Sequence, residues 1–118
     1  MSQVFSNKIE NFDSLDVSKL KRSAWHFYLI KYGTRINGEA LTFPVAVITG
    51  AGNGPRISIV SGIHGDEFEG VCALWKLIHQ KNFIIKNGTL IVIPVANCPA
   101  YEAGTRESPI DGINLARD

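Results

Sequence analysis

The sequence predicts an α/β fold with a sheet of mixed strands and one β-α-β unit, on the basis of three observations. Residues 57–70 begin as a β-branched run, the composition of a buried strand, and pass through three glycines into apolar residues at helical spacing. Residues 89–96 form a nearly continuous apolar run, which is typical of a parallel strand covered on both faces. Residues 25–32 and 41–49 are rich in aromatic and β-branched residues, which predicts two further strands.

The composition is that of one ordinary globular domain. The chain has 118 residues, of which 45% are hydrophobic and 19% charged, with a formal net charge of +1. It carries no basic stripe, so we expect neither nucleic acid nor an anionic membrane as a partner. The apolar runs are strand-sized and the N-terminus is polar, which favours a cytoplasmic protein. Cys72 and Cys98 have apolar neighbours, and we expect reduced core thiols rather than a disulfide.

The first half of the chain shows no obvious chemistry. Residues 1–24 are polar and predict an N-terminal arm, either a short surface helix or a loose segment. His26 belongs to the strand at residues 25–32 and is expected on a strand face rather than at a metal. Pro44 suggests that its strand lies at a sheet edge or begins there.

The glycine-rich stretch at residues 50–55 resembles a phosphate-binding loop only superficially. A phosphate loop should open a helix, because the amide donors and the helix dipole come from the helix N-terminus. Here the glycines lead into Pro55, Arg56 and a strand. We expect a connecting turn.

A strand at residues 57–62, a helix at 67–80 and a strand at 89–96 make the β-α-β unit, with a right-handed crossover. Because the two strands are then parallel, Asn97 and the residues after it should lie at the same sheet edge as His64. Ligands of open α/β sheets bind at this edge, outside the carboxyl ends of the strands.

His64 and Glu67 lie on the glycine-rich turn at that edge. Neutral imidazole and carboxylate are good zinc ligands, and catalytic zinc sites often use two histidines and one acid. The hypothesis is that both residues bind a catalytic zinc. The alternative is a structural histidine followed by an acid that interacts with the helix dipole. His79 lies twelve residues beyond Glu67, about 18 Å along a helix, and is expected to be structural.

Residues 97–118 show little regular pattern and predict a long functional loop. Arg106 and Arg117 are suited to binding a carboxylate or stabilising an oxyanion. The alternative, which the residues leave open, is that both arginines are solvated or paired with nearby acids: Glu102, Glu107 or Asp111.

Two blocks of residues resemble a known family. His64-Gly-Asp-Glu67-Phe-Glu-Gly70 resembles the His-Gly-x-Glu-x-x-Gly signature of the succinylglutamate desuccinylase/aspartoacylase family, within the wider zinc carboxypeptidase-like group. Asn97-Cys-Pro-Ala100, Arg106 and the run from Asp111 to Arg117 resemble the family's second block. The resemblance covers residues 41–118 well. It implies the N-terminal half of the zinc carboxypeptidase-like fold, a partial three-layer arrangement around a mixed sheet.

The resemblance also implies roles for individual residues. His64 and Glu67 would bind one zinc ion, and Arg106 would polarise the scissile carbonyl and stabilise its oxyanion. Arg117, together with Asn114, would bind the substrate. The implied reaction is hydrolysis of an amide bond, which releases an acyl group from an amine or amino acid of small-molecule size.

The chain departs from the family at two points. Ala116 stands where the family has an asparagine that helps bind a carboxylate, which leaves open whether the substrate is an amino acid. The family's third zinc ligand, a histidine, and its general base, a glutamate, lie further along than residue 118. We therefore expect residues 25–118 to be the N-terminal portion of a longer zinc hydrolase, and this chain alone to hold zinc weakly and to be inactive.

The rival interpretation is a non-catalytic module that binds a small carboxylate or a partner protein. In either case the sheet is expected to lack neighbouring strands. Because an exposed sheet edge recruits other chains, the sequence predicts a homo-oligomer.

Overall fold

The structure, a computed structural model, describes residues 9–11, 13–80 and 83–117. Over these residues the chain forms five strands, two α-helices and one short 3-10 helix. In chain order they are β1 Ile9–Asn11, the 3-10 helix Val17–Lys19, β2 Ala24–Thr34, β3 Ala40–Thr49, β4 Gly52–Val60, α1 Glu69–Gln80, β5 Asn87–Ile93 and α2 Cys98–Ala103. Neither α-helix is long and apolar enough to cross a bilayer.

The strands form one mixed sheet in the order β1-β2-β3-β5-β4. β2 and β3 are an antiparallel hairpin, and β5 pairs antiparallel with β3. Within the described residues β4 pairs with β5 alone, in parallel, with Ile57 opposite Leu90. The predicted α/β class and the β-α-β unit, formed by β4, α1 and β5, are therefore confirmed.

The core lies on both faces of the central strands. On one face Leu74 and Ile78 of α1 pack against a cluster in which Ala46, Ile48 and Val92 are at most 1% exposed. The opposite face carries a second cluster, formed by Ile30, Val45 and Val47. Successive residues of β3 thus serve opposite faces, as side chains alternate along a strand.

The described part of the predicted N-terminal arm is docked on the sheet, while residues 1–8 and 12 lie outside the described residues. β1 pairs with β2 at the sheet edge. Arg22 donates to the Gly88 carbonyl (2.6 Å) and to the Thr89 hydroxyl (3.1 Å), at the start of β5. Three aliphatic side chains also pack on the second core cluster: Leu15, Val17 and Leu20.

The prediction that the strand beginning near Ile57 is buried is wrong. β4 lies at the sheet edge, and Ile57 is 54% exposed and Val60 43% exposed. The composition of residues 57–60 suits a strand covered on both faces, but among the described residues only β5 pairs with β4.

The prediction for Pro44 is also wrong as stated. β3 begins at Ala40 and lies between β2 and β5, so it is an interior strand. Pro44 is tolerated because the ladder with β5 starts only at Ala46. At Pro44 the strand has a neighbour on the β2 side alone, so the missing N–H removes no bond to β5.

The glycine-rich stretch at residues 50–55 leads into a strand and not a helix, as predicted, but the connecting turn is shorter than that stretch. Only residues 50 and 51 connect β3 to β4, and Gly52 already belongs to the strand. Both cysteines are free, in agreement with the prediction of reduced thiols, but Cys72 is exposed on α1 and is not a core residue.

Candidate functional site

His64 and Glu67 lie on the turn between β4 and α1, where they face each other. His64 Nδ1 is 3.5 Å from Glu67 Oε1, and the Glu67 amide donates to the His64 carbonyl (3.3 Å). Two ligands of a tetrahedral zinc with bonds of about 2.0–2.2 Å lie about 3.4 Å apart. The donor atoms of this pair are therefore spaced as two ligands of one cation.

Two glycines allow this turn to pack closely against the segment that begins at Asn97. Gly62 has φ +68°, a backbone conformation that residues other than glycine rarely adopt. A Cβ on Gly65 would overlap the carbonyl group of Ala100 in α2. The turn can therefore approach α2 closely only without a side chain at position 65.

Asn97 joins the ends of the two parallel strands. Its amide donates to the Gly62 carbonyl (2.9 Å), and its side-chain nitrogen donates to the Ile63 carbonyl (3.4 Å). Its side-chain oxygen accepts from the Ala100 amide and caps α2. The prediction that Asn97 and His64 share one sheet edge is confirmed.

Asn114 contacts the other nitrogen of the His64 ring. Its Oδ1 lies 3.0 Å from His64 Nε2 and also accepts from the Ala116 amide (3.1 Å). Because an amide oxygen only accepts, Nε2 is the donor in this contact, and in the neutral ring Nδ1 then carries the lone pair on the side of Glu67. A hydrogen bond of this kind fixes the tautomer and orientation of metal-binding histidines. The resemblance had placed Asn114 among the substrate-binding residues.

Arg106 lies on the acidic side of the turn. Its Nη1 is 3.2 Å from Glu67 Oε1 and 3.7 Å from Asp66 Oδ1. The alternative pairing with Glu102, Glu107 or Asp111 is not found, and Glu102 instead pairs with Arg35 (3.2 Å). The structure thus brings Arg106 to the predicted ligands.

Arg117 is exposed, and only its backbone is held, by the Asn114 carbonyl (2.9 Å). Within residues 9–11, 13–80 and 83–117 its guanidinium takes part in no ion pair. Among the described residues this charge therefore has no acidic partner.

The remaining histidines are engaged elsewhere. His26 Nε2 lies 2.8 Å from the Lys21 carbonyl, and His79 Nδ1 lies 2.7 Å from the Trp75 carbonyl in the last turn of α1. Both agree with their predicted structural roles. In the part of the chain that the structure describes, no three His, Cys, Asp or Glu side chains converge to hold a metal. His64 and Glu67 fit zinc as two of its ligands.

Two features of the surrounding loop were not predicted from the sequence. α2 is a helix with an Asn97 cap, proline in its first turn and Gly104 in the left-handed conformation at its end, all readable as helix signals. A cavity of about 480 Å³ separates the loop that carries Asn114 from the sheet. Its lining is mainly apolar and includes Tyr32, Phe43 and Leu115.

Cys98, at the start of α2, lacks the environment that activates a nucleophilic cysteine. Burial, with a smaller contribution from Glu102, raises the pKa of its thiol to about 12. Nucleophilic cysteines need the thiolate, and this thiol stays protonated at neutral pH.

Sequence comparison agrees with this arrangement. A model of the succinylglutamate desuccinylase/aspartoacylase catalytic domain matches residues 53–118, which include every residue of the site described above. The chain belongs to this family.

Similar proteins include a curated relative and several solved structures. N-alpha-acetyl-L-2,4-diaminobutyric acid deacetylase of Halomonas elongata is 44% identical over 78 residues. An aspartoacylase family protein from Mesorhizobium loti is 30% identical with a TM-score of 0.72 over 88% of this chain. The ectoine utilization protein EutE (DoeB) of Ruegeria pomeroyi, in a product-bound structure, is 34% identical with a TM-score of 0.70 over 83% of this chain.

The chain is much shorter than these family members. It spans 22% of the Halomonas deacetylase, 32% of the Mesorhizobium protein and 30% of the Ruegeria protein. The shared part is the one that carries the family's His-Gly-x-Glu motif.

Proposed function

We propose that this chain supplies part of the catalytic centre of a zinc-dependent amide hydrolase that removes an acyl group from an amine or an N-acyl amino acid. The observation that carries the proposal is the convergence of His64, Glu67, Arg106 and Asn114, with their polar atoms 3.0–3.5 Å apart. Family membership and the deacetylase activity named for the Halomonas relative support the reaction class.

In this proposal the chain binds zinc through His64 Nδ1 and Glu67 Oε1. Asn114 keeps the His64 ring in the tautomer that presents Nδ1. When bound, zinc lowers the pKa of a water molecule and polarises the substrate carbonyl. Because the described residues contain no third ligand, we propose that the chain alone holds zinc weakly and has no measurable turnover.

Arg106 meets the negative charge that develops on the carbonyl oxygen during attack. Its guanidinium is half-exposed and lies beside the ligand pair, so it can reach a substrate without a change in the fold. Removal of one such donor typically lowers kcat by about 10²–10³-fold.

Arg117 is proposed to bind a substrate carboxylate, since its guanidinium is free among the described residues. Ala116 removes the amide that family members place beside this arginine. A substrate held by Arg117 alone would be bound less firmly, so N-acyl amino acids and other acylated amines both remain within the proposed class.

We place the protein in the cytoplasm and expect a homo-oligomer. The two free cysteines agree with a reducing compartment. The exposed edge of β4 offers unpaired backbone groups to a second chain.

Zinc titration of the chain by calorimetry tests the ligand assignment. We expect weak binding that is lost in His64→Ala and kept in the matched control His79→Ala, because His79 bonds within α1. Equal binding by wild type and His64→Ala would contradict the assignment. Micromolar or tighter binding lost in His64→Ala would show a site completed by a second chain.

A chimera tests the reaction. The 78-residue segment matched to the Halomonas deacetylase replaces its counterpart in that enzyme, and hydrolysis of N-acetyl-diaminobutyrate is measured. We expect a zinc-dependent activity that His64→Ala abolishes and Arg106→Gln lowers by about 10²–10³-fold. A folded chimera without activity would favour the rival, a non-catalytic binding module.

A further inference from the structure

The Arg106 guanidinium is shared between two neighbouring carboxylates. Nη1 is 3.2 Å from Glu67 Oε1 and 3.7 Å from Asp66 Oδ1. We propose that Asp66 is the positioning residue that keeps Arg106 at the site once Glu67 binds a metal ion. The proposal rests on the proposed function, since it needs Glu67 to be a ligand.

Glu67 cannot bind Arg106 and a metal ion equally well at the same time. The oxygen that pairs with Arg106 is Oε1, the same oxygen that faces His64 Nδ1 at 3.5 Å. A divalent cation on Oε1 neutralises its charge and repels the guanidinium, because like charges a few ångströms apart repel even near water. Arg106 then requires a different carboxylate or leaves the site.

Asp66 is suited to take over the guanidinium. It is half-exposed and, within the described residues, its carboxylate makes an ion pair with Arg106 alone. It does not face His64, so a metal bound between His64 and Glu67 leaves it free. Glu107, the acid next to Arg106 in the chain, forms no ion pair with it, and Glu102, four residues before it, is already paired with Arg35.

Metal binding and the position of Arg106 are therefore coupled. Without metal, Arg106 and a metal ion compete for Glu67 Oε1, and Asp66 lowers that competition by offering a second partner. With metal, the guanidinium shifts to Asp66 and stays beside the carbonyl that it has to polarise. Asp66 acts through Arg106 and does not touch the substrate.

The first test needs no metal. Glu67→Gln removes the charge of Glu67, as coordination does, and the ¹⁵N–¹H heteronuclear NOE of Arg106 Nε reports the mobility of the guanidinium. We expect Arg106 to stay restrained in Glu67→Gln and to become mobile in Asp66→Asn/Glu67→Gln. Equal mobility in the single and the double variant would overturn the proposal.

The second test is a double-mutant cycle on zinc affinity. Asp66→Asn should weaken zinc binding about two- to fivefold, the size expected for an exposed ion pair, and Asp66→Glu should restore it. In the Arg106→Gln background the same change should have no effect, because no guanidinium then competes for Glu67. Equal weakening in both backgrounds would show simple charge attraction and overturn the positioning role.

The two tests separate this proposal from the proposed function. Zinc affinity that is unchanged when His64 or Glu67 is replaced contradicts the ligand assignment. The mobility of Arg106 in the Glu67→Gln series decides the role of Asp66 whatever the zinc affinity is.

Discussion

β3 and the last four residues of β4, residues 57–60, are both rich in β-branched side chains, but they differ in burial. Val45 to Thr49 of β3 are at most 4% exposed, whereas Ile57 and Val60 of β4 are 54% and 43% exposed. β3 lies between two strands and under both core clusters, and β4 has a single neighbour. The difference shows that apolar composition indicates how strongly a strand favours burial. The order of strands in the sheet determines how much of it is buried.

The largest expected effect contrasts one isoleucine from each strand. Ile48→Ala should lower the free energy of unfolding by about 2–5 kcal/mol, because it leaves a cavity between β3 and α1. Ile57→Ala should change it by about 0.5 kcal/mol, since the side chain is already half in water. Urea unfolding measures both. Equal losses of unfolding free energy in the two variants would mean that β4 is buried in solution.

The exposed strand nevertheless leads into a tightly packed turn. Gly65→Ala should lower the free energy of unfolding by about 1–3 kcal/mol, because its Cβ overlaps the Ala100 carbonyl. Gly33→Ala in β2 is the matched control, since its Cβ meets only Leu41 at an ordinary 3.4 Å. If Gly65→Ala lowers the free energy of unfolding no more than Gly33→Ala does, α2 shifts to accommodate the added Cβ.

Self-association tests whether a second chain covers β4. Ile57→Lys should raise the dimer dissociation constant at least about tenfold, since a lysine on an edge strand discourages pairing. Ile36→Lys, in the fully exposed β2–β3 turn, should leave it unchanged. Light scattering across a concentration series measures both. A wild-type chain that stays monomeric at all concentrations would contradict the predicted oligomer.

The last prediction concerns the two cysteines. Burial raises the pKa of Cys98 from 9.0 to about 12, so between these pH values the unfolded chain loses a proton that the folded chain keeps. Stability should therefore fall as the pH rises through this interval, and less so in Cys98→Ala. Iodoacetamide at pH 8, followed by mass spectrometry, should label exposed Cys72 first. Faster labelling of Cys98 would refute its burial.

Local sequence patterns predicted much of the fold. The four strands β2 to β5, the β-α-β unit and the meeting of His64 with Asn97 follow from hydrophobic periodicity and from the rule that parallel strands end at one edge, whereas β1 was not predicted. α2 was missed because its six residues are too few for a periodic pattern, although its cap residues were visible.

What escaped prediction depends on contacts between distant residues. The exposure of β4 depends on how many strands flank it, and the position of Pro44 is tolerated because β5 begins its ladder two residues later. The bond between Asn114 and His64 joins residues 50 positions apart, which spacing along the chain cannot reveal.

The placement of β5 between β3 and β4 has a consequence for synthesis on the ribosome. β3 and β4 are joined by two residues, but each pairs with β5, which follows only after α1. The β2–β3 hairpin can form early from local contacts, while β4 gains its strand partner only when residues 87–93 have emerged. Non-local pairing of this kind is slow and leaves an apolar strand open to aggregation in the nascent chain. Slow translation between residues 60 and 93 would prolong that exposure.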